Sequence, residues 1–352
     1  MLERFLTLVV GLAIGAAGGA VFYLIHAPLP WTLGAILATA VAAVMNSRFL
    51  LKTPTRNFVR PVVGVLAGST FTPALAGSIA SWWPAIALLI AYSLVMLTVG
   101  YAYFRTFGGY DKVTAFFASA PGGLGELTLL GSSLGGDIRR LVMIHLIRML
   151  GVIFIVPFAL QIYIGHPIGR TSLGASHAAL LTIPDWILLT LCALIGFFLS
   201  KRIKFPGAPM IIPMLLSMGV HVTEMTAAAP PSWLIAIVQV VLGSVIGARF
   251  AGVRWSEVRK VLVIGTGWAL VLITSAAATA YVGTLFLAQP IEGLLLALAP
   301  AGMVEMTLIT FALGMETAFV VTCQLCRVLF VLLITPLVFK VIKAPPPPPD
   351  AD

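Results

Sequence analysis

From Phe5 to Lys340 the sequence is a succession of apolar runs, several of them roughly 17 to 25 residues long. Each run of that length can cross a bilayer as a helix, and a helix is the one open-ended element that satisfies its own backbone there. Only 9% of the 352 residues are charged, against about 25% in soluble domains. The chain therefore reads as an all-α polytopic membrane protein, with the lipid bilayer as its first partner. A net charge of +9 would suggest nucleic acid in a soluble protein. Here the positives sit in short loops, as on the cytoplasmic side of membrane proteins, and no nucleic-acid partner is expected.

The runs are written twice. "APGGLGELTLLGSSLGGD" from Ala120 returns as "APAGMVEMTLITFALGME" from Ala299. The offset from Glu126 to Glu305 is 179 residues, and no gap is needed from Ala120 to Phe158. It pairs Pro121 with Pro300, Gly123 with Gly302, Thr128 with Thr307, Asp137 with Glu316, Arg148 with Arg327 and Pro157 with Pro336. Further upstream, "HAPLPW" resembles "KFPGAPM", which pairs Pro30 with Pro209; with Pro206 and Pro213 nearby, these prolines should shape short helices. Six segments per copy follow: 5–25, 31–47, 58–77, 83–104, 113–134 and 138–160, then 184–200, 209–221, 232–250, 261–284, 291–313 and 317–340. The organisation is a membrane repeat over 1–160, a linker over 161–182, a second repeat over 183–340 and a disordered Pro-rich tail over 341–352. Arg4 and the small residues of "GAAGGA" resemble a secretory signal. Because 5–25 has an internal counterpart, it is expected to belong to the fold.

Charge sets the expected topology. If the fifth segment of each copy enters the membrane and turns back, nearly every basic residue outside the membrane falls on one face, and Arg170 alone lies opposite. If it crosses, Arg139, Arg140 and the cluster around Lys201 move to the far side. The positive-inside rule favours the re-entrant arrangement, with both termini cytoplasmic. Five crossings per copy is an odd number, so the two repeats are expected to have inverted topology, a pattern of secondary transporters.

Proline and glycines inside the fifth segment, with Gly122 and Gly123 in copy one and Gly302 in copy two, predict a helix broken at membrane depth. Such a break is tolerated only where protein or a water-filled cavity satisfies the freed backbone. The second half-helix begins with unpaired N–H groups and a positive dipole end, an anion site. Glu126 and Glu305 fall in its first turn, either as simple N-terminal charges or as carboxylates coupling transport to H⁺ or Na⁺. Arg148 and Arg327 lie deep in the last helix of each copy. They either pair with those glutamates or grip an anionic substrate through the guanidinium fork. His145 is one turn before Arg148, and Gln324 takes its place in copy two, so the position reads as a polar lining. Thr128 and Thr307 can offer hydroxyls to a cavity. Asp137 and Glu316 open the last helices as dipole-complementing charges, with ion coupling as the alternative. Cys192, Cys323 and Cys326 all lie in apolar runs, and "CQLC" reads as small residues on a helix face rather than a redox motif.

The duplicated "APGGLGELTLLG…GGD…R" and "APAGMVEMTLI…GME…QLCR" resemble the AbrB-duplication family of bacterial inner-membrane proteins, over nearly the whole chain. Copy two departs from the Pro-Gly-Gly pattern at Ala301, so the half-sites are expected to be unequal. Members carry labels of ammonia monooxygenase or regulator of gene expression, which makes a membrane oxidoreductase or an indirect regulatory role the alternatives. The fold implied is that of inverted-repeat transporters. Copper or iron chemistry needs clustered ligands, and His26, His145, His166, His177 and His221 are scattered. A Walker A sequence is absent, which argues against an ATP-driven pump. The expected function is secondary transport of a small, anionic organic solute, with no enzymatic activity, no cofactor and no metal. The sequence leaves a homodimer open.

Overall fold

A computed structural model describes residues 2–45, 54–122, 124–165, 181–203, 205, 207–251 and 255–342. Among these residues there is no strand. The first copy supplies α1 (Leu2–Leu24), α2 (Pro30–Met45), α3 (Pro54–Gly68), α4 (Pro73–Ser78), α5 (Trp83–Thr106), α6 (Lys112–Ser119), α7 (Leu124–Ser133) and α8 (Ile138–Ile164). The second supplies α9 (Ile183–Arg202), α10 (Ala208–Val222), α11 (Ser232–Gly247), α12 (Trp255–Thr284), α13 (Ile291–Leu298), α14 (Met303–Ala312) and α15 (Thr317–Ile342). Seven helices among the described residues are long and apolar enough to cross a membrane, and the chain is an all-α polytopic membrane protein. Arg170, most of the linker and most of the Pro-rich tail lie outside the described residues.

Prolines punctuate this pattern. Pro30 opens α2 and Pro209 stands in the first turn of α10, where a missing N–H costs nothing. The third segment of copy one, expected as one run over 58–77, is interrupted. Its helix α3 ends at Gly68, and Thr72 caps the separate helix α4 by accepting from Leu75 N, with Pro73 in the first turn. Thr-Pro disfavours the helical conformation before proline and supplies the cap after it.

Contacts divide the chain into two compact units that cut across the sequence copies. One comprises Met1–Ile79, Val156–Arg254 and Val304–Ala318; the other comprises Ala80–Ile155, Trp255–Met303 and Phe319–Asp352. The first unit thus gathers segments one to three of both copies, and the second gathers most of segments four to six.

In the first unit, glycines let helix backbones touch. A Cβ on Gly18 would lie 2.3 Å from Gly34 O, which sets α1 directly on α2. The glycines of "GAAGGA" are a packing face of the small-residue type that drives helix association in lipid. The copies then exchange partners. Gly64 of α3 packs on the backbone of Met210 in α10 (Cβ to O 2.3 Å). Its counterpart at the same 179-residue offset, Gly243 of α11, packs on Thr32 in α2 (2.6 Å). In the second unit the two fourth segments meet. Tyr103 Oη donates to Ile264 O (3.0 Å), and the Tyr103 and Phe104 rings lie against Trp268.

Candidate functional site

The fifth segment of each copy is broken where proline and glycine predict it. Helices α6 and α7 have 8 and 10 residues, about 12 and 15 Å; neither spans the roughly 30 Å hydrocarbon core. Copy two repeats these lengths in α13 and α14. The breaks have one geometry. Ala120 ends α6 at φ −64°, ψ 126°, and Ala299 ends α13 at φ −62°, ψ 123°. Across each proline a tight turn forms, with Gly122 N donating to Ala120 O (2.9 Å) and Ala301 N to Ala299 O (3.0 Å). The exits match as well. Gly135 and Gly314 both take positive φ, 90° and 66°. After them Gly136 N donates to Gly131 O (2.8 Å), and Met315 N to Thr310 O (3.1 Å), the helix stop that needs a left-handed residue.

In copy one the broken segment is a hairpin. Asp137 N donates to Thr114 Oγ1 (2.9 Å) across 23 residues, a distance of about 34 Å had the stretch run on as one straight helix. A Cβ on Gly131 of α7 would meet Phe117 Cγ of α6 at 2.9 Å. A re-entrant segment requires such a hairpin, and the charge distribution leads one to expect it there.

The arginines hold the breaks. Arg148 Nη1 donates to Ala120 O (2.8 Å) and Nη2 to Gly122 O (2.9 Å). Arg327 Nη1 donates to Ala299 O (2.9 Å) and Leu298 O (3.3 Å), and Nη2 to Ala301 O (3.4 Å). The main partners correspond at the same offset. Both side chains are buried, at 3% and 2% exposure. The fork is thus engaged by carbonyls that the break frees, at the negative end of the first half-helix. This bracing of the break is a role that the sequence does not suggest; the carboxylate pairing and the grip on an anion stand beside it as expectations. Each arginine keeps one buried donor, Nε, without a hydrogen-bond partner among the described residues. Arg148 lies within electrostatic reach of Arg327.

The half-sites differ one turn earlier. Gln324 Nε2 donates to Leu296 O (2.7 Å) and lies 3.4 Å from Ala299 O, while its Oε1 accepts from Arg327. Copy two is closed by these bonds. At the matching place His145 is 1% exposed, and neither ring nitrogen has a partner among the described residues. Thr128 Oγ1 is buried and likewise unpaired among them.

Glu305 stands in the first turn of α14 at 2% exposure, with Thr307 fully buried two residues on. Both belong to the first unit. Gly123 and the side chain of Glu126 lie outside the described residues. Gly122 has no positive φ; a Cβ there would lie 2.6 Å from Leu127 Cδ1, so that side chain would have to give way. Gly302 is half-buried just before α14. Asp137 starts α8 as a cap: Oδ1 accepts from Arg139 N and Arg140 N, and Oδ2 pairs with Arg140 Nε (3.0 Å). Glu316 is exposed at the start of α15.

One polar group in the second unit escapes the sequence. Tyr92 of α5 is buried, donates to Leu272 O (3.1 Å) and meets Ser275 Oγ (3.0 Å). It lies within electrostatic reach of Arg327. Its counterpart at the repeat offset is Val271, so the duplication does not mark it.

Fold and site together define a multi-pass α-helical membrane protein with a duplicated broken helix, each break tied by a buried arginine. The chain belongs to the AbrB family, described as "Transition state regulatory protein AbrB", whose profile matches residues 31–343. It is similar to "Uncharacterized protein YhjN" of Bacillus subtilis (strain 168), at 23% identity over 94% of this chain and 92% of that protein. It is also similar to "Putative regulator AbrB" of Escherichia coli (strain K12), at 21% identity over 92% of each.

Proposed function

We propose that the chain is a secondary transporter of a small, anionic organic solute, coupled to H⁺ or Na⁺. The observation that carries this reading is the duplicated break with its buried arginines. Broken helices inside a membrane protein are tolerated where they line a cavity, and transporters use their half-helix ends for substrate and ions. The gathering of corresponding segments from both copies into each compact unit supports the same reading. In it, the two copies have inverted topology, both termini are cytoplasmic, and the membrane is the bacterial inner membrane. The tips at Gly122, Gly123 and Gly302, with Thr128, Thr307, His145, Gln324 and the arginines, line the solute path. Glu126 and Glu305 carry the coupling ion, with Glu316 as a further candidate; the capping bonds of Asp137 favour a structural role for it.

The regulatory wording of the family and of the Escherichia coli relative fits an indirect effect, through the level of a transported metabolite. A monooxygenase reading needs a metal centre. Among the described residues no group of three or more His, Cys, Asp or Glu comes together, so nothing there favours that reading. The test has two stages. A thermal-shift screen of carboxylates and phosphate esters on purified protein identifies ligands, because a ligand of the folded state raises its apparent stability. Uptake of each hit into proteoliposomes is then measured with and without a pH or Na⁺ gradient. Uptake driven by neither gradient refutes coupling. Stoichiometric copper or iron in the purified protein refutes a function in transport alone.

A further inference from the structure

The first unit carries a concave site that the transport reading does not use. Helices α3, α9 and α11 leave a groove of about 340 Å³ between them, lined by Phe58, Val62, Trp186, Ala193, Phe198 and Leu234 among others. The volume is at the low end for small-molecule sites, which are also largely apolar but carry several convergent polar groups. Here Thr190 is the one hydroxyl in the lining. A polar solute would find few partners in it, whereas a hydrocarbon chain needs none.

Length and charge point to one occupant. Along α9 the lining runs from Trp186 to Phe198, about 18 Å, close to the roughly 15 Å hydrocarbon depth of one leaflet. At one end Phe58 stacks on Phe197 with ring centroids 5.7 Å apart. There the Lys201 ammonium lies 4.2 Å from the Phe197 centroid and 5.3 Å from that of Phe198. The exposed Arg202 follows it. The lysine is therefore held over the groove mouth by the rings beneath it. At the other end Trp186 and Trp233 pair at 6.2 Å. A greasy slot of leaflet depth with two cations at its mouth has the form of a phospholipid site.

We propose that this groove holds an acyl chain of an anionic bilayer phospholipid, whose headgroup phosphate is bound by Lys201 and Arg202. By the positive-inside rule this end faces the cytoplasm, the side whose anionic lipids attract juxtamembrane cations. The inference stands whether or not the protein transports a solute.

Native mass spectrometry of the detergent-purified protein, with equimolar phosphatidylglycerol and phosphatidylcholine of identical chains, tests it. Wild type is expected to retain phosphatidylglycerol preferentially. The surface pair Lys201→Gln with Arg202→Gln should keep the fold and reduce that preference about fivefold per charge removed. Ala193→Trp, which fills the groove, should lose both lipids. Equal retention of the two lipids by wild type overturns the headgroup assignment. Unchanged retention by Ala193→Trp overturns the groove. A wild-type dimer that binds no lipid and is split by Ala193→Trp would show the groove to be a subunit interface instead. Should Ala193→Trp fail gel filtration, the charge pair decides: an unaltered preference refutes the proposal.

Discussion

Arg148→Lys distinguishes an arginine that braces a broken helix from one that only touches solute. Arg148 donates two bonds, at 2.8 and 2.9 Å, to carbonyls on either side of Pro121. Hydrogen bonds from a charged donor are worth about 1.5–3 kcal/mol each. Lysine keeps the charge but has no planar fork, so it can serve one carbonyl and leaves the other buried; Ala120 itself is fully buried. The ammonium is also more strongly hydrated than the guanidinium, so burying it is no cheaper. The net loss is about 1.5–3 kcal/mol, a fall of roughly 3–12 °C in apparent melting temperature by the scaling of larger domains. Arg327→Lys should cost at least as much, since it also gives up the contact to Gln324. Intrinsic-fluorescence melting of the purified variants without added solute is the measurement. A pure substrate contact would leave the ligand-free protein unaffected. Wild-type melting of both variants would therefore refute the bracing role.

The asymmetry between the half-sites predicts that His145→Gln raises the melting temperature, by an amount matching about 0.5–1.5 kcal/mol for a new buried bond, while Gln324→His lowers it; the opposite order would refute the comparison. The hairpin predicts that single cysteines at Lys112 and Arg139 are labelled from the same side of the membrane, and labelling from opposite sides would show a crossing segment. Thr114→Val should cost about 1 kcal/mol through the lost bond to Asp137 N, visible in the same melts.

The duplicated break was legible because it is a coincidence of many positions at one offset, and because proline and glycine act on the backbone wherever they stand. The helix stop at Gly135 and Gly314 follows from the same logic. The partners of Arg148 and Arg327 were not legible. Main-chain carbonyls carry no residue identity, so a sequence offers only the glutamates as visible counter-charges. Gly64 and Gly243 illustrate a second limit. Their offset marks them as equivalent, but that each packs on the other copy's second segment depends on how twelve segments assort. The split after Gly68 was readable in Thr72-Pro73, and hydropathy alone masked it. Tyr92 was hidden because its importance comes from a neighbour on α12, far along the chain.

The carbonyl bonds sharpen the anion argument. Arg148 and Arg327 are bonded to main-chain carbonyls that the breaks free, and in the proposed transporter their charge favours an anion at the breaks. In the proposed transporter each second half-helix start is also an anion-favouring end, and each carries a glutamate in its first turn. If the chain is the proposed transporter, an ionised glutamate there competes with a bound anion, whereas one neutralised by H⁺ or Na⁺ leaves the positive potential to the solute. Coupling ion and anion should therefore assist one another's binding, and by linkage each should tighten the other by the same factor. Titrating an identified solute across pH or Na⁺ concentration measures that factor. Glu126→Gln and Glu305→Gln should reduce it towards one while solute still binds. An affinity in wild type that ignores both ions, or a dependence that survives in both variants, would take the glutamates out of the coupling and leave them as helix-start charges, whose loss costs only about 0.3–1 kcal/mol.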